Sequence, residues 1–313
     1  MSEKITVGFI GLGLMGRGMA GNIRKAGYDM VLHDLRREAA EPYLGGVVRW
    51  ADTPRELAAA CDVVFPSLPK PADVDAVLRG PDGLGAGFSP GSAWFDLSTN
   101  AVDAVRDLNA ELAEQQVAFL DAPVSGGPAG AAAGKLAIWV GGDAAVFERF
   151  KPVLDAMADQ ARLIGDIGAG AIAKLVHNVA SAAFTQVIAE TMTIGVKAGL
   201  EPLQLYEAMR SGALGRMRSF DLVHKRWLAD NLDPPSFELQ LQHKDVKLGM
   251  ELARSVDVPS RLCNLVLDDL TEAMNRGWAR RDAQSVLVLQ QERAGVSTFA
   301  APLEEIEAVM SRT

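Results

Sequence analysis

The chain has 313 residues and a formal net charge of −9, and 49% of its residues are hydrophobic while 23% are charged. This composition is typical of a soluble globular protein with room for two domains. The negative balance argues against a nucleic-acid surface, which needs clustered positive charge. We expect no membrane span, because polar residues interrupt every long apolar stretch. Two widely separated cysteines fit a reducing compartment, so we expect a cytoplasmic protein.

The first half of the chain alternates strand-like and helix-like runs. The predicted strands are Ile5–Ile10, Met30–His33, Val63–Pro66, Ala93–Leu97, Phe119–Val124 and Ala137–Val140. The predicted helices are Leu14–Ala26, Arg55–Ala60, Ala72–Leu78, Val102–Glu114 and Ala144–Met157, while residues 129–134 are expected to form a tight loop or helix turn. Several strands are apolar throughout, as in a parallel sheet covered on both faces. The pattern predicts an α/β fold with a Rossmann-type, doubly wound parallel sheet over residues 1–165.

The second half, residues 166–313, is predicted to be all-α. Residues 171–198 keep a helical apolar spacing for almost thirty positions, which is too long and too apolar for a surface helix. We interpret this run as a long central helix that joins the two domains and is buried among neighbours or against another subunit. Further helices are predicted at Pro202–Ser211, Lys244–Ser255, Arg261–Arg276 and Ala283–Gly295.

A glycine motif follows the first predicted strand and opens the first predicted helix. Gly11, Gly13 and Gly16 have the spacing GxGxxG, with Leu12, Leu14 and Met15 between them. In dinucleotide-binding proteins such glycines allow a tight turn, close approach of the backbone to pyrophosphate and close helix–strand packing. The helix N-terminus supplies N–H donors for the phosphates. The motif therefore predicts a dinucleotide site.

Asp34 ends the second predicted strand, 18 residues after Gly16. A carboxylate at this place can accept hydrogen bonds from the ribose hydroxyls and would repel a 2′-phosphate. Arg36 and Arg37 favour the opposite choice, because a guanidinium can pair with that phosphate. We expect NAD as the cofactor and consider NADP the less favoured alternative.

Six segments in a fixed order resemble one enzyme family, the β-hydroxyacid dehydrogenases that include 3-hydroxyisobutyrate dehydrogenase and tartronate semialdehyde reductase. The segments are FIGLGLMGRGMAGNI (9–23), SLP (67–69), DLST (96–99), DAPVSGG (121–127), GAGAIAKLVHN (168–178) and KDVKLG (244–249). The resemblance implies a Rossmann domain, a connecting helix and a helical domain for substrate binding and association. It also implies a homodimer or homotetramer.

The resemblance implies a role for each matching residue. Lys174 matches the catalytic lysine and Asn178 the asparagine that orients the substrate. The substrate carboxylate would bind at Ser125, Gly126 and Gly127. The residues expected to contact the cofactor outside the glycine motif and Asp34 are Leu68, Pro69, Thr99 and Lys244. Many relatives carry a proline shortly after the Ser98-Thr99 pair, where this chain has Asn100-Ala101, and some relatives have small polar residues around the position of Arg216.

Lys174 lies among apolar residues of the predicted long helix, where an ammonium loses hydration unless a partner or a task compensates. Together with Asn178 at i+4, it can form one reactive face of the helix. The alternative is that Lys174 extends from a buried helix to solvent. His177 and His243 are expected to pack or cap locally, and no metal site is predicted, since the histidines and cysteines lack ligand spacing.

We therefore expect an NAD-dependent dehydrogenase that interconverts a small β-hydroxyacid and its semialdehyde or keto acid, with Lys174 as general acid/base. Two alternatives remain open. An imine reductase would share the architecture, although such relatives generally carry aspartate or tyrosine in place of the lysine. A non-catalytic binding or scaffold protein would use the same fold without turnover. Arg216, Arg218, Phe237 and Gln240 are candidates for substrate recognition.

Overall fold

A computed structural model describes residues 5–217, 220–297 and 299–311, without the side chain of Arg216. The chain divides into two compact units, the first ending at Leu175 and the second beginning at Val176. The sequence places the domain boundary between residues 165 and 166, and this boundary stays a prediction.

The first unit is built on one nine-stranded sheet. Its strands are β1 (Thr6–Ile10), β2 (Asp29–His33), β3 (Val48–Trp50), β4 (Val63–Pro66), β5 (Ala93–Asp96), β6 (Ala118–Asp121), β7 (Val124–Ser125), β8 (Leu136–Gly141) and β9 (Ala158–Gly165). The spatial order is β3-β2-β1-β4-β5-β6-β8-β7, with β9 beside β8. The pairs from β3 to β6 are all parallel. The order 3-2-1-4-5-6 confirms the predicted doubly wound α/β fold.

Six helices of the first unit follow these strands. They are α1 (Gly16–Lys25), α2 (Pro54–Ala59), α3 (Pro71–Arg79), α4 (Val102–Glu114), α5 (Gly127–Ala133) and α6 (Ala144–Met157). The side chains of Thr53 and Asp143 cap α2 and α6 by accepting backbone N–H groups in the first turn. Strand side chains such as Phe9, Phe65 and Phe95 are fully buried in the core. Burial of that apolar surface is the main stabilising contribution.

Helix α7 runs from Ala169 to Lys197, 29 residues without interruption, close to the predicted central helix. It is long and apolar enough to cross a membrane by length and composition alone, and 44% of its most apolar window is buried. Core helices of soluble proteins meet the same two criteria, so this is weak evidence for a span. The cytoplasmic location stays a prediction.

The second unit is helical throughout its described residues, apart from an isolated β-bridge between Glu238 and Asp282. Its helices after α7 are α8 (Pro202–Ser211), α9 (Leu239–Ser255), α10 (Arg261–Asn275), α11 (Val286–Ala294) and α12 (Leu303–Met310), and Val223–Leu228 forms a short π-helical segment. One apolar cluster surrounds Tyr206 and Trp227, and another surrounds Leu239 and Leu270. These clusters confirm an all-α second half.

Several element boundaries were predicted wrongly. The single strand Phe119–Val124 is two strands, because Ala122 and Pro123 interrupt it and proline cannot donate to a ladder. Strand β9 lacks an apolar pattern because it lies at an edge and alternates exposed polar residues such as Asp159 and Gln160. Helix α9 begins five residues before the predicted start at Lys244. Strand β3 and helix α12 were missed. For α5, only a tight loop or helix turn over residues 129–134 was predicted, and of β7 only Val124 was predicted as strand; all four elements are short.

Candidate active site

The GxGxxG glycines form a tight turn between β1 and α1. Gly11 has a φ of +89°, which favours glycine, and an added Cβ would lie 2.4 Å from the carbonyl oxygen of Ser67. A Cβ on Gly16 would lie 1.8 Å from the Gly11 oxygen, whereas one on Gly13 would meet no atom within 4 Å. Two glycines are therefore required by packing, and the third leaves the backbone open to a ligand. No side chain caps the N-terminus of α1 at Met15.

The ends of β4 and β5 lie beside this turn. The N–H of Ser67 donates to Ile10 O at 2.8 Å, which brings Leu68 and Pro69 next to the end of β1. The N–H of Leu68 donates to Ser98 Oγ at 3.0 Å, and the N–H of Ser98 in turn donates to Asp96 Oδ1 at 3.0 Å. Thr99 follows directly. The carboxyl ends of three parallel strands thus meet at the point where strand order reverses, which is where open α/β sheets bind ligands.

Asp34 lies just after β2 and is fixed by two backbone groups. Its Oδ2 accepts the N–H of Leu12 at 2.7 Å, inside the glycine turn, and its Oδ1 accepts the N–H of Arg36 at 2.9 Å. Each carboxylate oxygen can accept more than one hydrogen bond, so ribose hydroxyls can still bind. Arg37 lies over the ring of Trp50, with 5.5 Å between the guanidinium carbon and the ring centroid.

The residues expected to bind the substrate carboxylate follow β7. Ser125 ends that strand, and Gly126 and Gly127 have φ values of +136° and +65°. Successive backbone N–H groups in such a turn can form a concave anion site. Ser125 is half-buried, while both glycines are exposed.

Lys174 is hydrogen-bonded to the segment that contains Val124 and Ser125. The residue is half-buried, and its Nζ donates to Val124 O at 2.8 Å, one residue before Ser125. The lysine predicted to be catalytic and the loop predicted to bind substrate therefore lie together in the first unit. This contact was not anticipated, because it joins positions 50 residues apart.

In the second unit, one buried carboxylate connects two predicted site residues. Asp245 is 3% exposed. Its Oδ2 accepts Nδ2 of Asn178 at 2.5 Å, and its Oδ1 lies 3.0 Å from Lys244 Nζ. His177 Nδ1 lies 3.0 Å from Asn178 Oδ1. Sequence reasoning missed Asp245, although KDVKLG was recognised, because only the lysine of that segment was given a role.

The remaining candidates are more loosely defined. Phe237 is exposed, and Gln240 hydrogen-bonds Glu238. His243 Nε2 lies 3.2 Å from Thr271 Oγ1, and burial, followed by the charge of Lys247, lowers the pKa of this imidazole. Arg218 and the side chain of Arg216 lie outside the described residues.

The geometry of the first unit fits a dinucleotide. Open space adjoins the glycine turn at Gly13, where an added Cβ would meet no atom within 4 Å, and Asp34 is hydrogen-bonded to the same turn. The sequence-family models agree: the NAD-binding domain of 6-phosphogluconate dehydrogenase matches residues 6–165, and the NAD-binding domain of NADP-dependent 3-hydroxyisobutyrate dehydrogenase matches residues 168–289. Fold and matches define an NAD(P)-dependent oxidoreductase.

Three known proteins narrow the class. The chain is 31% identical to 2-(hydroxymethyl)glutarate dehydrogenase of Eubacterium barkeri, covering 95% of this chain and 98% of that protein. It is 35% identical to the NAD-dependent L-serine dehydrogenase of Pseudomonas aeruginosa over 88% and 94% of the two chains. The crystal structure of 3-hydroxyisobutyrate dehydrogenase from Salmonella typhimurium superposes with a TM-score of 0.83 at 30% identity, covering 91% and 99%.

The chain belongs to the β-hydroxyacid dehydrogenase family and acts on the CH–OH group of a small hydroxyacid. The alternative of a non-catalytic protein is therefore set aside. An imine reductase from Myxococcus stipitatus also superposes, with a TM-score of 0.57, but at 19% identity this likeness shows the fold alone.

Proposed function

We propose that the protein oxidises the primary alcohol of a 2-substituted 3-hydroxypropanoate to the semialdehyde, reversibly and with NAD. The observation that carries the proposal is the bond from Lys174 Nζ to Val124 O at 2.8 Å, which places the ammonium group beside the Ser125–Gly127 loop. An amine bonded to the residue that precedes the proposed carboxylate-binding loop fits a substrate whose hydroxyl and carboxylate are separated by two carbons.

The substrate class follows from the chemistry that the three relatives' names share. L-serine, 3-hydroxyisobutyrate and 2-(hydroxymethyl)glutarate each carry a hydroxymethyl group on the carbon that bears the carboxylate. They differ only in the second substituent of that carbon. The proposed substrate therefore has the common part, and the residues that select the substituent stay open.

Lys174 is proposed to act as general acid/base. In oxidation its nitrogen would take the hydroxyl proton as the C–H bond breaks, and in reduction it would return a proton to the carbonyl oxygen. Bound NAD supplies the hydride acceptor. Val124 O accepts one of the three ammonium N–H donors and so fixes the direction of the amine.

Asn178 is proposed to orient the reacting carbon. It follows Lys174 by four residues on the continuous helix α7, and Asp245 accepts one N–H of its amide at 2.5 Å. This bond assigns the amide orientation and restricts the rotamer, so the asparagine is pre-organised before substrate arrives. The family resemblance implies the same role for Asn178, and it implies that Lys244 lines the cofactor.

Asp34 supports NAD over NADP. Both of its oxygens are bonded to backbone N–H groups, so a fixed negative charge stands beside the glycine turn. A 2′-phosphate brought to this carboxylate would meet like charge, whereas ribose hydroxyls can donate to it.

The proposed homodimer or homotetramer rests on the exposed face of α7. Phe184, Val187 and Ile194 lie on one side of the helix and are 41%, 55% and 67% exposed. Three large apolar side chains at i, i+3 and i+10 form a continuous stripe, which a second copy could cover. Sedimentation of the purified protein distinguishes a dimer or tetramer from a monomer.

The function is tested with a panel of hydroxyacids, with NADH absorbance as the readout. The panel contains four primary alcohols: L-serine, 3-hydroxyisobutyrate, glycerate and 2-(hydroxymethyl)glutarate. A secondary alcohol, 3-hydroxybutyrate, serves as the comparison, and each compound is assayed with NAD and with NADP. We expect turnover of at least one primary alcohol with NAD. Activity confined to 3-hydroxybutyrate, or reduction of cyclic imines without alcohol oxidation, would contradict the proposal.

A further inference from the structure

Asp121 places a buried carboxylate against the first turn of α7. The residue ends β6 and is 1% exposed. Its Oδ1 accepts the N–H of Gly168 at 2.7 Å, and its Oδ2 accepts the N–H of Ala171 at 2.6 Å. Ala171 is the third residue of the helix and Gly168 the residue before it, so one side chain satisfies two backbone donors that the helix itself leaves without partners.

These are the donors that a capping box satisfies with two side chains of the helix's own sequence. Here the position before the helix is Gly168, which has no side chain, and the acceptor comes from a strand 47 residues earlier in the chain. The start of α7 is therefore determined by the sheet rather than by the local sequence.

Two glycines make room for the carboxylate. A Cβ on Gly141 would lie 2.5 Å from Asp121 Oδ1, and a Cβ on Gly170 would lie 2.2 Å from Trp139 O and 2.8 Å from Asp121 Oδ2. Any larger residue at either position would displace the carboxylate or the helix. Because both positions are glycine, the carboxylate of Asp121 can reach the backbone at the start of α7.

The same segment holds α7 a second time. Three residues after Asp121, Val124 O accepts Lys174 Nζ, and Lys174 itself lies three residues after Ala171. We propose that Asp121 is a positioning residue, whose two bonds to the backbone of α7 place Lys174 against the Ser125–Gly127 loop. The proposal rests on the proposed catalytic role of Lys174.

The arrangement needs the ionised form of Asp121, because both oxygens accept a backbone N–H. Burial raises the pKa of this carboxyl to about 6; the N–H groups of Gly168 and Ala171 oppose the rise, and the charge of Asp96 adds to it. The guanidinium of Arg106 in α4 also lies near Gly168, with its Nε 3.7 Å from the position of an added Cβ, and it pairs with Asp103 at 3.6 Å. Protonation would convert one acceptor into a donor facing an N–H group.

The test is the pH profile of kcat in the direction of aldehyde reduction, where a protonated Lys174 is the required form and adds no acid limb. We expect the wild-type rate to fall as the pH drops through about 6. In Asp121→Asn the amide puts an N–H against a backbone N–H at every pH. We expect its kcat to be at least about tenfold lower than that of the wild type, and to show no fall at low pH. The dissociation constant of NAD should be unchanged.

Asp143→Asn is the matched control. Asp143 is also an N-terminal helix cap, accepting the N–H of Val146 at 2.9 Å, but its helix α6 carries no proposed site residue. This variant should keep the wild-type rate and acid limb. Lys174→Ala is measured in parallel: if it keeps its activity, the proposed function fails, whereas its loss together with an unaffected Asp121→Asn overturns the positioning role alone.

A measurement on the wild-type protein decides the case if Asp121→Asn does not fold. Hydrogen exchange of the Gly168 and Ala171 amides, corrected for intrinsic rate, should lose protection as the pH falls through about 6, while the amide of Val146 should show no such step. Constant protection of all three amides over this range would overturn the proposal.

Discussion

In each of the two units, a buried carboxylate contacts the part of residues 168–197 that belongs to the same unit. The two carboxylates accept hydrogen bonds from different kinds of group. In the first unit Asp121 accepts two backbone N–H groups, from Gly168 and Ala171. In the second unit Asp245 accepts the side-chain amide of Asn178. The hydrogen bonds of Asp121 depend on the path of the backbone at the start of α7 and on the space left by Gly141 and Gly170. The hydrogen bond of Asp245 depends on the identity of one side chain.

This difference separates two tasks in the proposed mechanism. A backbone bond sets where the helix begins, and with it the position of Lys174. A side-chain bond sets one rotamer, which can orient a substrate without moving the helix. We therefore expect changes in the first unit to affect the chemical step most, and changes in the second unit to affect orientation.

The largest effect is expected for Lys174→Ala. Loss of the proposed general acid/base should lower kcat by a factor of about 10² to 10⁴. NAD binding, measured by fluorescence quenching, should persist. Lys197→Ala is the matched control, because Lys197 also lies on α7 and its Nζ donates to a backbone carbonyl, Ala294 O, at 2.9 Å. Similar losses in the two variants would mean that Lys174 acts through helix packing rather than chemistry.

A smaller effect is expected for Asp245→Asn. This substitution removes the charge that pairs with Lys244 and disturbs the orientation of Asn178, so kcat should fall by about ten- to a hundredfold. Asp269→Asn serves as the control, since Asp269 forms a partly exposed ion pair with Arg293 at 2.8 Å in the same unit. If Asp245→Asn has a larger effect than Lys174→Ala, the proposed division of tasks is wrong.

The cofactor preference should respond to Asp34→Ala. Without the carboxylate, the ratio of kcat/KM for NAD to that for NADP should fall by about tenfold, because ribose hydroxyls lose an acceptor and a 2′-phosphate loses a repulsive charge. Steady-state kinetics with both cofactors measure this ratio. Glu38→Ala, an exposed change in the same segment, should leave it unaltered. An unchanged ratio in Asp34→Ala would remove the argument for NAD.

The smallest effect concerns the two cysteines, one in each unit. Burial raises the pKa of the Cys61 thiol to about 12; Asp62 adds to the rise and Arg49 opposes it. Because the pKa is raised, the thiol stays neutral and unreactive at about pH 8. Iodoacetamide should label half-exposed Cys263 first, with both labelled in denaturant as the control. Equal labelling rates in the native protein, measured by mass spectrometry, would contradict the buried environment of Cys61.

Elements with strong local signals were predicted well. Helices Val102–Glu114 and Ala144–Met157 have the predicted bounds, and α7 differs by only a residue or two at each end, because long apolar periodicity determines a helix by itself. Strands β1, β2, β4 and β5 were found because their continuous apolar runs are typical of strands buried on both faces of a parallel sheet. Short or polar elements such as β3 and β9 were not, since pairing with a neighbour, rather than their own pattern, makes them strands.

The sequence by itself determined the class of fold, the glycine turn and the family, because each depends on residue types at short, fixed spacings. The tertiary structure alone decided which groups hold the proposed site residues: Val124 for Lys174, Asp245 for Asn178 and Asp121 for the start of α7. These contacts join positions 50, 67 and 50 residues apart. No local pattern encodes such pairings, since they arise only when packing of the apolar core brings distant segments together.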